Sequence, residues 1–342
     1  MTTEKLAQYI PQDIGLPIAQ APFNFNGAKL SVFVLECDVA SSQRQLDKYI
    51  NSVDGSKNYR AISVPGSELS YIFLVMADMQ FTASNQQGQT FGKIKYPECS
   101  FWIPAVDINS LQVAMFLPLL LLDNATAIAS GREVYGFEKQ QAQFDFYDAA
   151  AASTAQLNVK KPNFQVNPYS FTTLSPDTIG QYNPLLKVAP LATSADKTEQ
   201  HFDELAAEAE SLLQAVSTHL FPEEFAVHDS DHRVSLTDFV KSGIPLPGVF
   251  LKQFPSVSDT DQSCFQQLAK ANFRLTAIHG GAPYWSLFPL GLTKHQITVF
   301  PIASHPLVEQ FGLKAKQQDD GSFTMQAKGL WLDVDFSLEL GN

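Results

Sequence analysis

Apolar residues in this chain come in short runs, several of them alternating with polar positions, and Pro, Gly, Asn and Asp separate one run from the next. Such two-residue periodicity predicts strands over 27–38, 69–83, 91–106, 143–147, 156–174, 248–254, 270–279, 295–303 and 322–339. The run 69–83 is nearly continuous, which implies burial on both faces. Asp320-Gly321 between two such runs predicts a type I′ hairpin, so neighbouring strands are expected to be antiparallel. A different period appears at 196–221, where Phe202, Leu205, Ala209, Leu212, Leu213, Val216 and Leu220 recur at steps of three and four. That spacing predicts a long amphipathic helix, started by Ser194 or Asp196 and stopped before Pro222. Shorter helices are predicted at 41–51 and 258–269. Strand signals resume after the long helix with unchanged character, so we read 1–342 as one α+β domain, mainly antiparallel β with peripheral helices, carrying a helical insertion at about 180–245.

The chain has 342 residues, 45% of them apolar and 17% charged, and can bury a large core. Its net charge of −12 opposes phosphate backbones, and the longest basic cluster is Lys160-Lys161, so no nucleic-acid partner is expected. The most apolar run, Val113–Leu122, contains Pro118 and is far shorter than the ~20 residues of a membrane helix. It reads as core, and no membrane partner is expected. Three cysteines without paired spacing and no basic-then-apolar leader point to the cytoplasm.

Common catalytic motifs are absent: no GxGxxG, GxxxxGK[ST], HExxH, CxxC or GxSxG. His279-Gly280-Gly281 reads as a glycine turn after a strand. The sequence 228–232, with two histidines and two aspartates, reads as a polar loop, since nothing supplies closed ligand geometry. No metal and no cofactor is expected.

The informative stretch is 122–141. Asp123, Asn124, Ala127, Ile128, Ala129, Gly131, Arg132, Glu133 and Lys139 stand in the order and spacing of the central motif of the acetoacetate decarboxylase family. The N-terminal Pro22-Phe23-Asn24-Phe25, the segment Tyr96-Pro97-Glu98 and the return strand Val249-Phe250-Leu251-Lys252 are also similar to that family. The resemblance covers most of the chain outside 180–245 and implies a curved β-barrel, a Schiff-base lysine at Lys139 and an active-site glutamate at Glu98. Arg132 and Glu133 are expected to hold the lysine strand, beside the Asp123-Asn124 pair. Tyr135, Phe137, Leu74 and Ala28 are the pocket candidates.

Schiff-base chemistry requires a neutral amine. A lysine at its ordinary pKa of about 10.4 is neutral about once in 2,500 at pH 7, and one held near 7 is half neutral; the difference is about 4 kcal/mol, which an apolar pocket supplies. Desolvation or a neighbouring cation is the known route in acetoacetate decarboxylase itself, and the resemblance carries that expectation here. The iminium is an electron sink that serves loss of carbon dioxide, retro-aldol cleavage and dehydration alike. The chain departs from the family in four places: Gln140 replaces a second lysine, Glu138 a proline, and by ungapped matching Ala28 replaces the pocket arginine and Leu74 a second glutamate. Glu138, next to Lys139 on a strand, should face away from it. Without the arginine, a natural partner of a carboxylate, a larger or less acidic carbonyl compound becomes the expected ligand. The function classes are therefore a Schiff-base lyase acting on a small-molecule carbonyl substrate, with decarboxylation of a small β-keto acid the most familiar reaction and aldolase or dehydratase chemistry next to it, or a non-catalytic carbonyl-binding protein. A homo-oligomer fits either class.

Overall fold

In a computed structural model of the protein, residues 9–10, 18–54, 58–63, 66–85, 88–148, 153–191, 245–287, 290–292 and 294–341 are described. The first half contains β1 (Phe23–Asp38), α1 (Val39–Leu46) with a π-helical continuation Asp47–Asn51, the single turn α2 (Ser52–Asp54), β2 (Tyr59–Ala61), β3 (Leu69–Ser84), β4 (Thr90–Asp107), β5 (Gln112–Leu122), α3 (Ala125–Tyr135), β6 (Lys139–Tyr147), β7 (Ser153–Thr154) and β8 (Phe164–Ser170). The second half contains β9 (Gln181–Tyr182), β10 (Leu186–Pro190), β11 (Leu246–Pro255), β12 (Ser263–Pro283), the hairpin β13 (Trp285–Leu287) and β14 (Leu290–Leu292), β15 (His295–Val299), α4 (Leu307–Phe311), β16 (Lys316–Gln317), β17 (Phe323–Ala327) and β18 (Gly329–Leu340).

Most strands join one large sheet. Its order runs β16-β17-β15-β10-β8-β6-β5-β11-β12-β18-β1-β3-β4-β2, and β4 also pairs with β5. That extra pairing closes β5, β11, β12, β18, β1, β3 and β4 into a ring; β2 is added at β4, β13 and β14 form a separate two-stranded sheet, and the other strands form a wing that leaves the ring through β6. Pairing is antiparallel except for β5 with β11 and β5 with β6. A parallel neighbour cannot be reached by a tight turn and needs a long crossover, here supplied by α3 between β5 and β6.

Strand alternation sorts side chains onto the two faces of the ring. On β3, Ile72, Leu74 and Met76 point outward into a core shared with Phe33, Phe101, Leu46 of α1 and Phe164 and Ile297 of the wing. Phe73, Val75, Ala77 and Met79 of the same strand point inward. The double burial predicted for 69–83 follows from this arrangement: the wing and α1 cover the outside, and the far wall of the ring covers the inside.

Several sequence expectations change. The segment 258–269 is not a helix but the tip and first residues of the β11–β12 hairpin, because the antiparallel ladder to β11 outweighs local propensity. Residues 181–182 and 186–190 at the start of the expected insertion are sheet strands; residues 192–244, with the predicted helix at 196–221, its caps and the loop 228–232, lie outside the described residues. His279-Gly280-Gly281 lies within β12, which runs on past register shifts at Ala277 and Gly280. The strands expected at 156–174 and 295–303 shorten to Phe164–Ser170 and His295–Val299, and 322–339 splits into β17 and β18. Asp320-Gly321 does sit between antiparallel strands, β16 and β17, but in a five-residue loop with only Gly321 at positive φ, 82°, so it is not type I′. The helix predicted at 41–51 is present, capped by Asp38, whose side chain accepts from Ser41 N–H. Among the described residues, no helix is long and apolar enough to cross a membrane.

His295 lies on the outer face of the ring, packed against the Phe33 and Tyr284 rings, and burial pushes its pKa down to about 4. An unfolded histidine titrates near 6.5, so the unfolded chain binds the extra proton first as pH falls. This contribution to stability should be intact above pH 6.5 and lost between pH 6.5 and 4, at most about 3 kcal/mol. Denaturant titrations at pH 7 and pH 4.5 should show that loss for the native chain and a smaller one for His295→Leu. Equal losses in the two proteins would refute the assignment.

Candidate active site

The site begins with the crossover from β5 to β6. Asn124 caps α3, its side chain accepting from Ala127 N–H at 3.0 Å, and a run rich in alanine continues the helix. Gly136 ends it at φ 78°, a left-handed conformation suited to glycine, where a β-carbon would also lie 2.6 Å from Lys252 Cα. The chain then reverses into β6, and Lys139 takes the register position beside Leu120 of β5. Arg132 Nη1 donates to the Lys139 carbonyl oxygen at 3.2 Å, tying the last turn of the helix to the first residue of the strand.

Glu98 arrives from β4, where it pairs with Ala77 of β3 on one side and Leu122 of β5 on the other. Strands lie about 4.8 Å apart, so a residue on β4 and one on β6 are separated by roughly 10 Å of backbone. Two long side chains span that gap: Lys139 Nζ lies 3.0 Å from Glu98 Oε2. Lys139 is 6% exposed and Glu98 7%. Glu98 Oε2 takes no well-aligned hydrogen bond. The Tyr96 and Phe137 ring centroids each stand 5.5 Å from Nζ. The lysine stem crosses α3 at Gly131, where a β-carbon would come within 2.7 Å of Lys139 Cδ and Cε. That close approach is the physical reason for a glycine in the motif.

The pair opens onto a cavity of about 310 Å³ that fills the interior of the ring, with lining residues from every ring strand. Its walls are apolar and aromatic, among them Phe25, Phe73, Trp102, Phe273 and Phe336, and among the described residues its only charged lining groups are Lys139 and Glu98. Ser100, also on the wall, already accepts from Trp102 Nε1 at 2.8 Å. The phenol of Tyr96 is held well above its usual pKa by burial and by Glu98, and so stays neutral.

The other expected site residues fall in different places. Phe137 lines the cavity. Tyr135 does not: it stacks behind Phe137 at 5.2 Å and donates its hydroxyl to the Leu338 carbonyl, fastening α3 to β18. Ala28 is fully buried next to the bulge in β1 and belongs to the inner cluster without reaching the cavity surface. Leu74 is a correction, since strand parity turns it to the outer core and leaves Val75 and Ala77 facing inward. Asp123 and Glu133 are exposed. Glu138 lies outside the cavity lining; burial raises its carboxyl pKa, against the pull of Arg132. Gln140 faces the wing and bonds His305 Nε2 through its Oε1 at 2.9 Å. The sequence reading missed the wall from β18, although Leu330, Leu332, Val334, Phe336 and Leu338 alternate with mostly polar residues and all line the cavity.

This ring with its side wing is the fold of acetoacetate decarboxylases. Over 100% of this chain and 97% of the other, it is similar to the crystal structure of acetoacetate decarboxylase from Legionella pneumophila, with a TM-score of 0.53 at 14% identity. A second acetoacetate decarboxylase structure gives 0.47 at 13% identity, covering 95% of this chain and 91% of that one. An acetoacetate decarboxylase-like enzyme from Sphingomonas wittichii gives 0.44 at 11%, covering 94% and 92%. No protein-family model matches the chain, and no curated protein matches it.

Gly131→Ala tests the local geometry. The new methyl meets the flexible end of a side chain, so stability should fall by no more than about 1 kcal/mol, while Lys139 is pushed off Glu98. Thermal unfolding should shift by only a few degrees, and reductive methylation of Lys139, read by peptide mass, should change at least several-fold. An unchanged Lys139 labelling rate would refute the predicted displacement.

Proposed function

We propose that the protein is a Schiff-base lyase acting on a small-molecule carbonyl compound, with Lys139 as nucleophile and Glu98 as proton carrier. The observation that carries this reading is a buried lysine amine 3.0 Å from a buried carboxylate, facing an apolar cavity. Buried lysines are rare outside ion pairs and active sites, and a buried carboxylate oxygen without an aligned hydrogen bond is set to accept one.

Lys139 Nζ adds to the carbonyl carbon and forms the C–N bond. Starting from the ammonium facing the carboxylate, Glu98 relays two protons in turn from the nitrogen to the former carbonyl oxygen: the first gives the carbinolamine and the second lets that oxygen leave as water, so an iminium replaces the carbonyl. A bond to the α-carbon then breaks and its electron pair moves toward the iminium nitrogen. A β-keto acid releases carbon dioxide at this step; an aldol releases its second carbonyl compound, with Glu98 taking the hydroxyl proton. Protonation of the enamine carbon and addition of water regenerate the amine and release the product.

The aldol and dehydration branch is favoured by the cavity lining, which among the described residues offers a substrate carboxylate no cation besides Lys139. Glu98→Gln should slow iminium formation about a hundredfold, measured by stopped-flow with cyanoborohydride trapping, because general acid–base groups contribute on that order. An unchanged rate would assign Glu98 to structure alone. Iminium formation without any released product, from β-keto acids or aldols, would leave a carbonyl-binding protein.

A further inference from the structure

We infer that the natural ligand is an uncharged aldehyde or ketone with a medium-length alkyl or an aryl tail, rather than a short keto acid. The inference rests on Lys139 as the nucleophile and narrows that reading to a substrate class. Two observations carry it, one of size and one of charge.

The cavity holds about 310 Å³. A water in the liquid occupies roughly 30 Å³, so the space takes roughly ten water-sized groups, more than a four-carbon keto acid fills. Across the ring from Lys139 the wall is built from side chains such as Phe273, Leu275, Leu332 and Phe336, with the Trp102 and Phe273 ring centroids 5.0 Å apart. An alkyl chain or aryl ring covers that wall, whereas a small polar substrate would leave it facing trapped water.

The charge balance points the same way. The site holds one cation and one anion, Lys139 and Glu98, at 3.0 Å. With a neutral carbonyl compound every stage stays neutral: the ammonium faces the carboxylate, the free amine faces the protonated acid, and the iminium faces the carboxylate again. A keto acid would add a second carboxylate near Glu98 with no further cation among the described lining residues, and an uncompensated buried charge is strongly disfavoured. The chain's overall charge of −12 adds repulsion of anions at long range.

The test uses the full chain with cyanoborohydride and a panel of butanal, octanal, phenylacetaldehyde, pyruvate and acetoacetate. Reduction of the iminium by hydride leaves a secondary amine, a mass gain equal to the carbonyl compound less one oxygen. Peptide mapping then reports the Lys139 adduct separately from surface lysines. Each buried methylene should tighten binding about fourfold, so half-saturation of Lys139 labelling should fall on the order of a hundredfold from butanal to octanal. Labelling by the two keto acids should be weaker than by butanal. Equal labelling across the panel, or strongest labelling by acetoacetate, would overturn the substrate class while leaving the nucleophile assigned. No adduct at Lys139 with any member would overturn the nucleophile, and the substrate class with it.

Discussion

The contact between Lys139 and Glu98 is the interaction around which the rest of the ring is arranged. Neither charge would sit comfortably there alone, because removing an ion from water costs several kcal/mol that only a close partner offsets. The two residues come from strands that are not neighbours, with β5 between them. Every feature that fixes β4, β5 and β6 relative to one another therefore acts on that 3.0 Å distance. The parallel crossover through α3, the left-handed turn at Gly136, the missing side chain at Gly131 and the Arg132 bond to the Lys139 carbonyl all serve that placement. The apolar walls make the pair chemically consequential, since interactions between charges strengthen as water is excluded.

The same sheet plays two parts. Its outward side chains pack against the wing and α1 and supply a conventional core, while the inward ones leave a space that a ligand can fill. Because alternation along each strand assigns a residue to one part or the other, a shift of one position moves it between scaffold and site. Leu74 shows this directly: it lies between Phe73 and Val75, which face the cavity, yet it belongs to the outer core.

Much of this was legible in the sequence, for reasons of periodicity and local chemistry. The apolar runs of β1, β3 and β4 read as strands because they are buried by neighbours on at least one face, whereas the run of β5 read only as core. The motif from Asp123 to Lys139 was readable because cap, helix, glycine and lysine are close in sequence and act on one another locally. What was not readable depends on partners far along the chain. The segment 258–269 looks helical until β11 claims its second half as strand. Whether a residue such as Tyr135 lines the cavity or stands behind Phe137 depends on ring packing that spacing does not encode. The β18 wall was hidden for a different reason: its alternation was visible, but only closure of the ring brings it opposite the lysine.

The central claim is that the Lys139 amine reacts inside the ring with a ligand whose apolar tail occupies the cavity. A crystal structure of the protein after reduction with cyanoborohydride in the presence of octanal tests it most directly. The account predicts continuous density from Lys139 Nζ, with the alkyl chain running inside the ring toward Trp102 and Phe273 and Glu98 still beside the nitrogen. An unmodified Lys139, with alkyl groups only on exposed lysines, would contradict it.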